Sequence, residues 1–132
     1  MAEADKSEAV TLELLQDIIA AFNRRDVPAI VSYFAEDATF FMSSGADAVG
    51  RRVHGKETIA KVLADRFVTI PDMHWASIDD FVSGTKAVST WRVTGTLPGG
   101  QRLDANGCDI WEFRDGLVFN KDTYWKIVTP QS

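Results

Sequence analysis

The chain has 132 residues, 45% of them apolar and 25% charged, with a formal net charge of −5. That length supports one hydrophobic core, and the acidic balance excludes affinity built on neutralising phosphates, so no nucleic-acid partner is expected. A single cysteine, Cys108, excludes an internal disulfide, and the lack of any run of roughly 20 apolar residues argues against a membrane partner. The start carries neither the basic segment nor the apolar run of a secretory signal, so a cytoplasmic location is the expectation. Residues Met1 to Ser7 read as a flexible lead-in to a single domain over 8–132.

From about Glu8 to Phe22, Leu12, Leu15, Ile18, Ile19 and Phe22 recur at three- and four-residue spacing, which predicts an amphipathic helix. Asp26 offers a capping oxygen and Pro28 suits a first helical turn, so a short second helix is expected from about Pro28 to Phe34. After a turn at Ala35-Glu36-Asp37, the run Ala38 to Met42 is β-branched and aromatic and predicts a strand. Gly55 opens a third helix with a stripe of Ile59, Val62, Leu63 and Phe67, and Pro71 prevents its continuation.

Beyond Met73 the apolar period changes to two, through segments near Met73–Val82, Lys86–Thr96, Arg102–Phe113 and Leu117–Val128. Breaks at Ser83-Gly84, Pro98-Gly99-Gly100 and Asp115-Gly116 are too short for parallel crossovers, so a meander of antiparallel hairpins is expected. Alternation in the third of these strands places Asp109 as the one charge among Leu103, Ala105, Gly107, Trp111 and Phe113. A carboxyl on a core-facing side must be paired, neutralised or functional.

Helix, helix, strand, helix and four strands form an order that resembles the nuclear transport factor 2-like superfamily, and within it the SnoaL-like and ketosteroid-isomerase-like members. The phrases Phe22-Asn23-Arg24-Arg25-Asp26, Ile30 to Phe40, His54 to Ile59, Trp91 to Thr96 and Glu112 to Val118 carry that resemblance, which covers about residues 9–128. It implies an α+β, cone-shaped roll in which three N-terminal helices pack on a strongly bent antiparallel sheet enclosing a pocket. It also implies a homodimer. By motif position Asp109 resembles the aspartic acid of the isomerases' oxyanion hole, while the position of their catalytic base falls at Met42, which cannot take a proton. Steroid isomerisation by that route is therefore disfavoured. The segment Lys121 to Lys126 resembles the SnoaL-like end strand, where an aspartate acts as general acid/base, and this singles out Asp122.

Asp109 and Asp122 are thus the candidate catalytic residues, with a satisfied core carboxylate and a solvated or dimer-face carboxylate as their structural alternatives. His54, at a helix entrance, could hold a ligand or serve structure alone. Trp75, Trp91, Trp111 and Phe40 could line an apolar cavity or simply fill the core, and Tyr124 could steady a developing oxyanion. His54 and His74 stand twenty residues apart without a metal-ligand spacing, and no Gly-rich segment precedes a helix, so neither metal nor cofactor is expected. The reading is a cofactor-free isomerase, dehydratase or cyclase using carboxylate acid/base chemistry on a small apolar or aromatic carbonyl compound. Its rivals are a non-catalytic ligand-binding domain and a dimerisation module.

Overall fold

The structure, a computed structural model, describes residues 9–129. The expected flexible lead-in, Met1 to Ser7, lies outside those residues, as does Glu8. Helix α1 spans Leu12–Asn23, its start set by the Thr11 hydroxyl, which accepts the Leu14 amide at 3.1 Å. Leu15, Ile18, Ile19, Ala21 and Phe22 are buried, whereas Leu12 lies off the stripe. Helix α2, Val27–Ser32, carries the expected Asp26 cap and has Pro28 in its first turn.

Strand β1 spans Phe34–Phe41 and so takes in Ala35-Glu36-Asp37, where turn composition predicts a bend. The expected bend survives as an irregularity inside the strand: the ladder with the last strand jumps from Phe34 opposite Val118 to Thr39 opposite Asn120 and leaves Ala35-Glu36-Asp37 without partners in it. A three-residue strand β2, Arg52–His54, unanticipated from sequence, pairs with β1. Helix α3, Lys56–Thr69, runs from Gly55 to Ile70, just before Pro71. The meander follows as β3 His74–Ser83, β4 Lys86–Thr96, β5 Arg102–Arg114 and β6 Leu117–Trp125.

The sheet order is β2-β1-β6-β5-β4-β3. All pairs are antiparallel except β1 with β6, so the sheet is mixed rather than wholly antiparallel. Between β1 and β6 the chain makes α3 and four further strands, ample length for the return that a parallel pair needs. Helix α1 packs against β3 and α3 against β1, which makes the helix-facing side of the sheet the inner one.

One irregularity in the β5–β6 hairpin positions everything that follows. Asp115 and Gly116, with φ of 54° and 79°, form the tight turn, and Arg114 and Phe113 oppose Leu117 and Val118. Glu112, however, opposes Asn120, which leaves Phe119 as an extra residue. Past that bulge every β6 side chain is on the opposite face from where an unbulged hairpin would put it. Asp109 consequently opposes Thr123, not Asp122.

At the inner face Gly107 of β5 lies under the Trp91 indole. A methyl group built there would collide with the Tyr124 carbonyl oxygen and stand 2.8 Å from the Trp91 ring. Because the first of those neighbours is backbone in a paired strand, Gly107→Ala is expected to cost about 1–3 kcal/mol of stability, the usual range for overpacking. Equilibrium urea unfolding measures it, and an unchanged midpoint would refute the close approach.

Candidate functional site

Alternation along β5 brings Asp109 to the inner face together with Trp111 and Phe113, and leaves it 5% exposed. Trp91 Nε1 donates to its Oδ2 at 3.0 Å, and Thr123 Oγ1 donates to its Oδ1 at 2.6 Å. Lys121 Nζ stands 3.0 Å from the same Oδ1 and donates to Thr123 Oγ1 at 2.8 Å. Both charges are therefore buried as a closed, hydrogen-bonded pair, the condition under which a low-dielectric interior tolerates them.

Aromatic rings surround the ammonium. Its nitrogen lies 4.0 Å from the centre of the Phe40 ring, 5.3 Å from Phe22 and 5.5 Å from Trp111, so ring faces supply negative potential where no further oxygen reaches. Burial pushes the Lys121 pKa down; Asp109 acts in the opposite sense, and Arg66 adds to the lowering. Trp111 Nε1 in turn donates to the buried Ser89 hydroxyl at 3.0 Å, which fixes the indole that walls the site.

Beside the pair lies a hollow of about 10 Å³, lined from α1 by Ile19 and Phe22, and from the sheet by Trp75, Trp91, Asp109, Trp111 and Lys121. That is room for about one water molecule. A second space of about 650 Å³ opens between Ser43-Ser44, the β4–β5 loop and the segment Trp125 to Thr129. Trp125 walls this cleft and packs edge-on against Trp91, ring centres 6.4 Å apart. Two indoles thus stand between a ligand-sized cleft and the Asp109 carboxylate.

Of the residues singled out from sequence, Trp75, Trp91 and Trp111 meet Asp109 at the hollow, and Phe40 lies against the Lys121 ammonium. Asp122 and Tyr124 do not join them. They occupy the outer face, where the Tyr124 hydroxyl donates to Asp122 at 3.2 Å and Tyr124 is 53% exposed. His54 sits on β2 with its ring nitrogen 2.9 Å from the Thr39 hydroxyl, at the exposed margin of the sheet. The expectation that Asp109 and Asp122 face one hollow is corrected here, and the cause is the extra residue at Phe119. Lys121, Thr123 and Ser89 are the site members that sequence reasoning passed over. Their only signal was a shared alternation phase with neighbouring core positions, and a lysine in a strand ordinarily reads as solvent-facing. Among the described residues no cluster of three His, Cys, Asp or Glu side chains could hold a metal ion, and no helix is long and apolar enough to cross a membrane.

The family model described as SnoaL-like domain matches residues 15–120. Among solved structures, the chain is similar to a candidate polyketide cyclase from Xanthomonas campestris pv. campestris, with 21% identity, 92% of each chain covered and a TM-score of 0.78. It is also similar to a protein with a ketosteroid isomerase-like fold from Catenulispora acidiphila, solved in complex with trimethylamine, at 18% identity over 89% of this chain and 88% of that one, TM-score 0.77. TerC, co-crystallised with polyporic acid, gives 20% identity over 87% and 90% of the two chains and a TM-score of 0.75. At these identities the likeness shows the fold. Comparison with curated proteins gives no match.

Lys121→Met leaves Asp109 buried without its counter-charge and is expected to cost about 3–5 kcal/mol, whereas Lys121→Met combined with Asp109→Leu should recover much of that loss. Urea unfolding of the two variants measures the difference, and equal losses would show that the pair is not coupled. The pH dependence has a definite sign. Because the folded-state pKa of Lys121 is lowered, the unfolded chain binds the extra proton over the interval from that lowered value up to about 10.4. This lysine therefore makes stability rise with pH across that interval, and the double variant should lack the contribution.

Proposed function

Because the chain belongs to the SnoaL-like domain family, within the nuclear transport factor 2-like superfamily, we propose that it is a small-molecule pocket protein that isomerises, dehydrates or cyclises an apolar or aromatic carbonyl compound by proton transfer, without a cofactor. The observation that carries this reading is Asp109: a carboxylate on an interior wall of indoles, held by Trp91, Thr123 and Lys121. In this reading Asp109 takes a proton from the carbon next to the carbonyl and returns it elsewhere, and the Lys121 ammonium stabilises the anionic charge that develops on oxygen. The cleft of about 650 Å³ is of the size that holds small ligands, and its apolar wall includes Leu97, Leu103 and Trp125. Displacement of the Trp125 and Trp91 rings joins it to the carboxylate.

A second reading, a non-catalytic carrier that uses the cleft alone, is favoured by the small size of the hollow beside Asp109. Asp122 and Tyr124 then serve association. Phe81, Val88 and Ile110 stand in register as one row across β3, β4 and β5 on the outer face, with Phe81 57% and Ile110 42% exposed, and two copies pair through this row. The half-buried lone Cys108 suits a reducing compartment, the cytoplasm.

Asp109→Asn is expected to slow deuterium exchange α to the carbonyl, followed by NMR over a panel of cyclic and aryl ketones, by about 10²–10⁴-fold. Ketone affinity, read from tryptophan fluorescence, should change far less, since only the proton acceptor is lost. Binding without any exchange in the wild type would establish the carrier reading instead. For association, Ile110→Lys places a charge in the middle of the apolar row and should yield a folded monomer in sedimentation velocity; a dimer that survives it would exclude this face.

A further inference from the structure

Lys121 is more than a counter-charge in a dry pocket. Lys121 lines the same hollow as Asp109, and one carboxylate oxygen, Asp109 Oδ1, stands 3.0 Å from its nitrogen to accept its proton. Thr123 Oγ1 bridges the two groups, 2.8 Å from the nitrogen and 2.6 Å from the carboxylate, so a proton path between them is built in. Among the described residues, the remaining direction from the nitrogen meets ring faces and the hollow, with no oxygen acceptor for a third N–H. An amine in such a setting, paired with one proton acceptor and shielded from water, has the requirements of a carbonyl nucleophile.

We propose that Lys121 forms an imine with an aldehyde or ketone at this site. The inference rests on the pocket reading above and deepens it by giving Lys121 a covalent step in place of the oxyanion-stabilising role assigned to its ammonium there. Asp109 takes one proton from the ammonium and frees the nitrogen lone pair. The N–C bond forms as the carbonyl π pair moves onto oxygen, and a second nitrogen proton passes to that oxygen. Asp109 then returns the first proton to the new hydroxyl, which leaves as water while the nitrogen pair closes the C=N bond. Ammonium and carbonyl thus become a protonated imine and water, with no oxidation or reduction. The iminium withdraws electrons from the adjacent carbon more strongly than a hydrogen-bonded carbonyl does, so it would make the proton that Asp109 removes more acidic. The hollow has room for about one water, which the carbonyl end of the reactant replaces.

Burial sets the selectivity. An exposed lysine with the ordinary pKa is less than about 0.1% neutral at pH 7, whereas burial pushes the Lys121 amine toward its neutral form. The full chain is treated with propanal and sodium cyanoborohydride at pH 7, digested, and mapped by mass spectrometry. Lys121 is expected to gain the propyl group faster than Lys56, Lys61, Lys86 and Lys126, because only it combines burial with a proton acceptor in contact. Propylation of those four with Lys121 untouched would overturn the proposal, and this arm needs no variant to fold. Lys121→Arg keeps a positive charge beside Asp109 but cannot form an imine. Ketone exchange that persists in Lys121→Arg and disappears in Asp109→Asn would overturn the imine and leave proton transfer standing. Rapid trapping at Lys121 with no exchange in any ketone would uphold the imine and overturn proton transfer.

Discussion

A charge taken out of water costs several kcal/mol unless an opposite charge and hydrogen bonds meet it in the interior, and this protein buries one of each sign in contact. Asp109 and Lys121 are both about one-twentieth exposed and lie 3.0 Å apart, with Thr123, Trp91 and the Phe40 ring occupying most of the remaining directions. Neither could remain alone. The pair constrains the strands that carry it, since any slip of β6 against β5 would separate the two charges or expose them. Trp111, anchored through its indole nitrogen to Ser89, closes the same polar cluster toward β4.

That constraint is met through one extra residue. With Phe119 bulged out and lying against the Arg114 guanidinium, 4.3 Å from its ring centre, Lys121 and Thr123 turn inward while Asp122 and Tyr124 turn outward. Without the bulge Asp109 would oppose Asp122, and the interior would hold two carboxylates and no cation among them. Two like charges in a dry cavity would force one to stay protonated. The bulge thus chooses between a buried dicarboxylate and a buried carboxylate–amine pair on one scaffold.

The aromatic residues divide the inner space by their size. Phe22, Trp75 and Trp111 make edge-on contacts between α1 and the sheet and reduce the hollow to about one water, while Trp91 and Trp125 separate it from the cleft. Gly107 permits this by leaving space for the Trp91 ring on a strand where any other residue would collide. The site is therefore shielded from bulk water for a packing reason, and that burial in turn pushes the Lys121 pKa down.

Much of the architecture was legible in residue order alone. The stripe from Leu15 to Phe22, the Asp26 cap, Pro71 and the Asp115-Gly116 turn are local signals whose physical cause acts within a few residues, and each element they predicted is present. Strand alternation was enough to put Asp109 among core residues, because period two needs only the backbone pleat. The parallel pairing of β1 with β6, the short strand β2 and the companions of Asp109 were not legible. They depend on which distant backbone groups meet and on a one-residue shift in register, and both are decided by the free energy of the packed whole, not by the preferences of any short segment. Sequence by itself thus determined the elements and one buried acid; the tertiary structure decided that an amine, not a second acid, would face it.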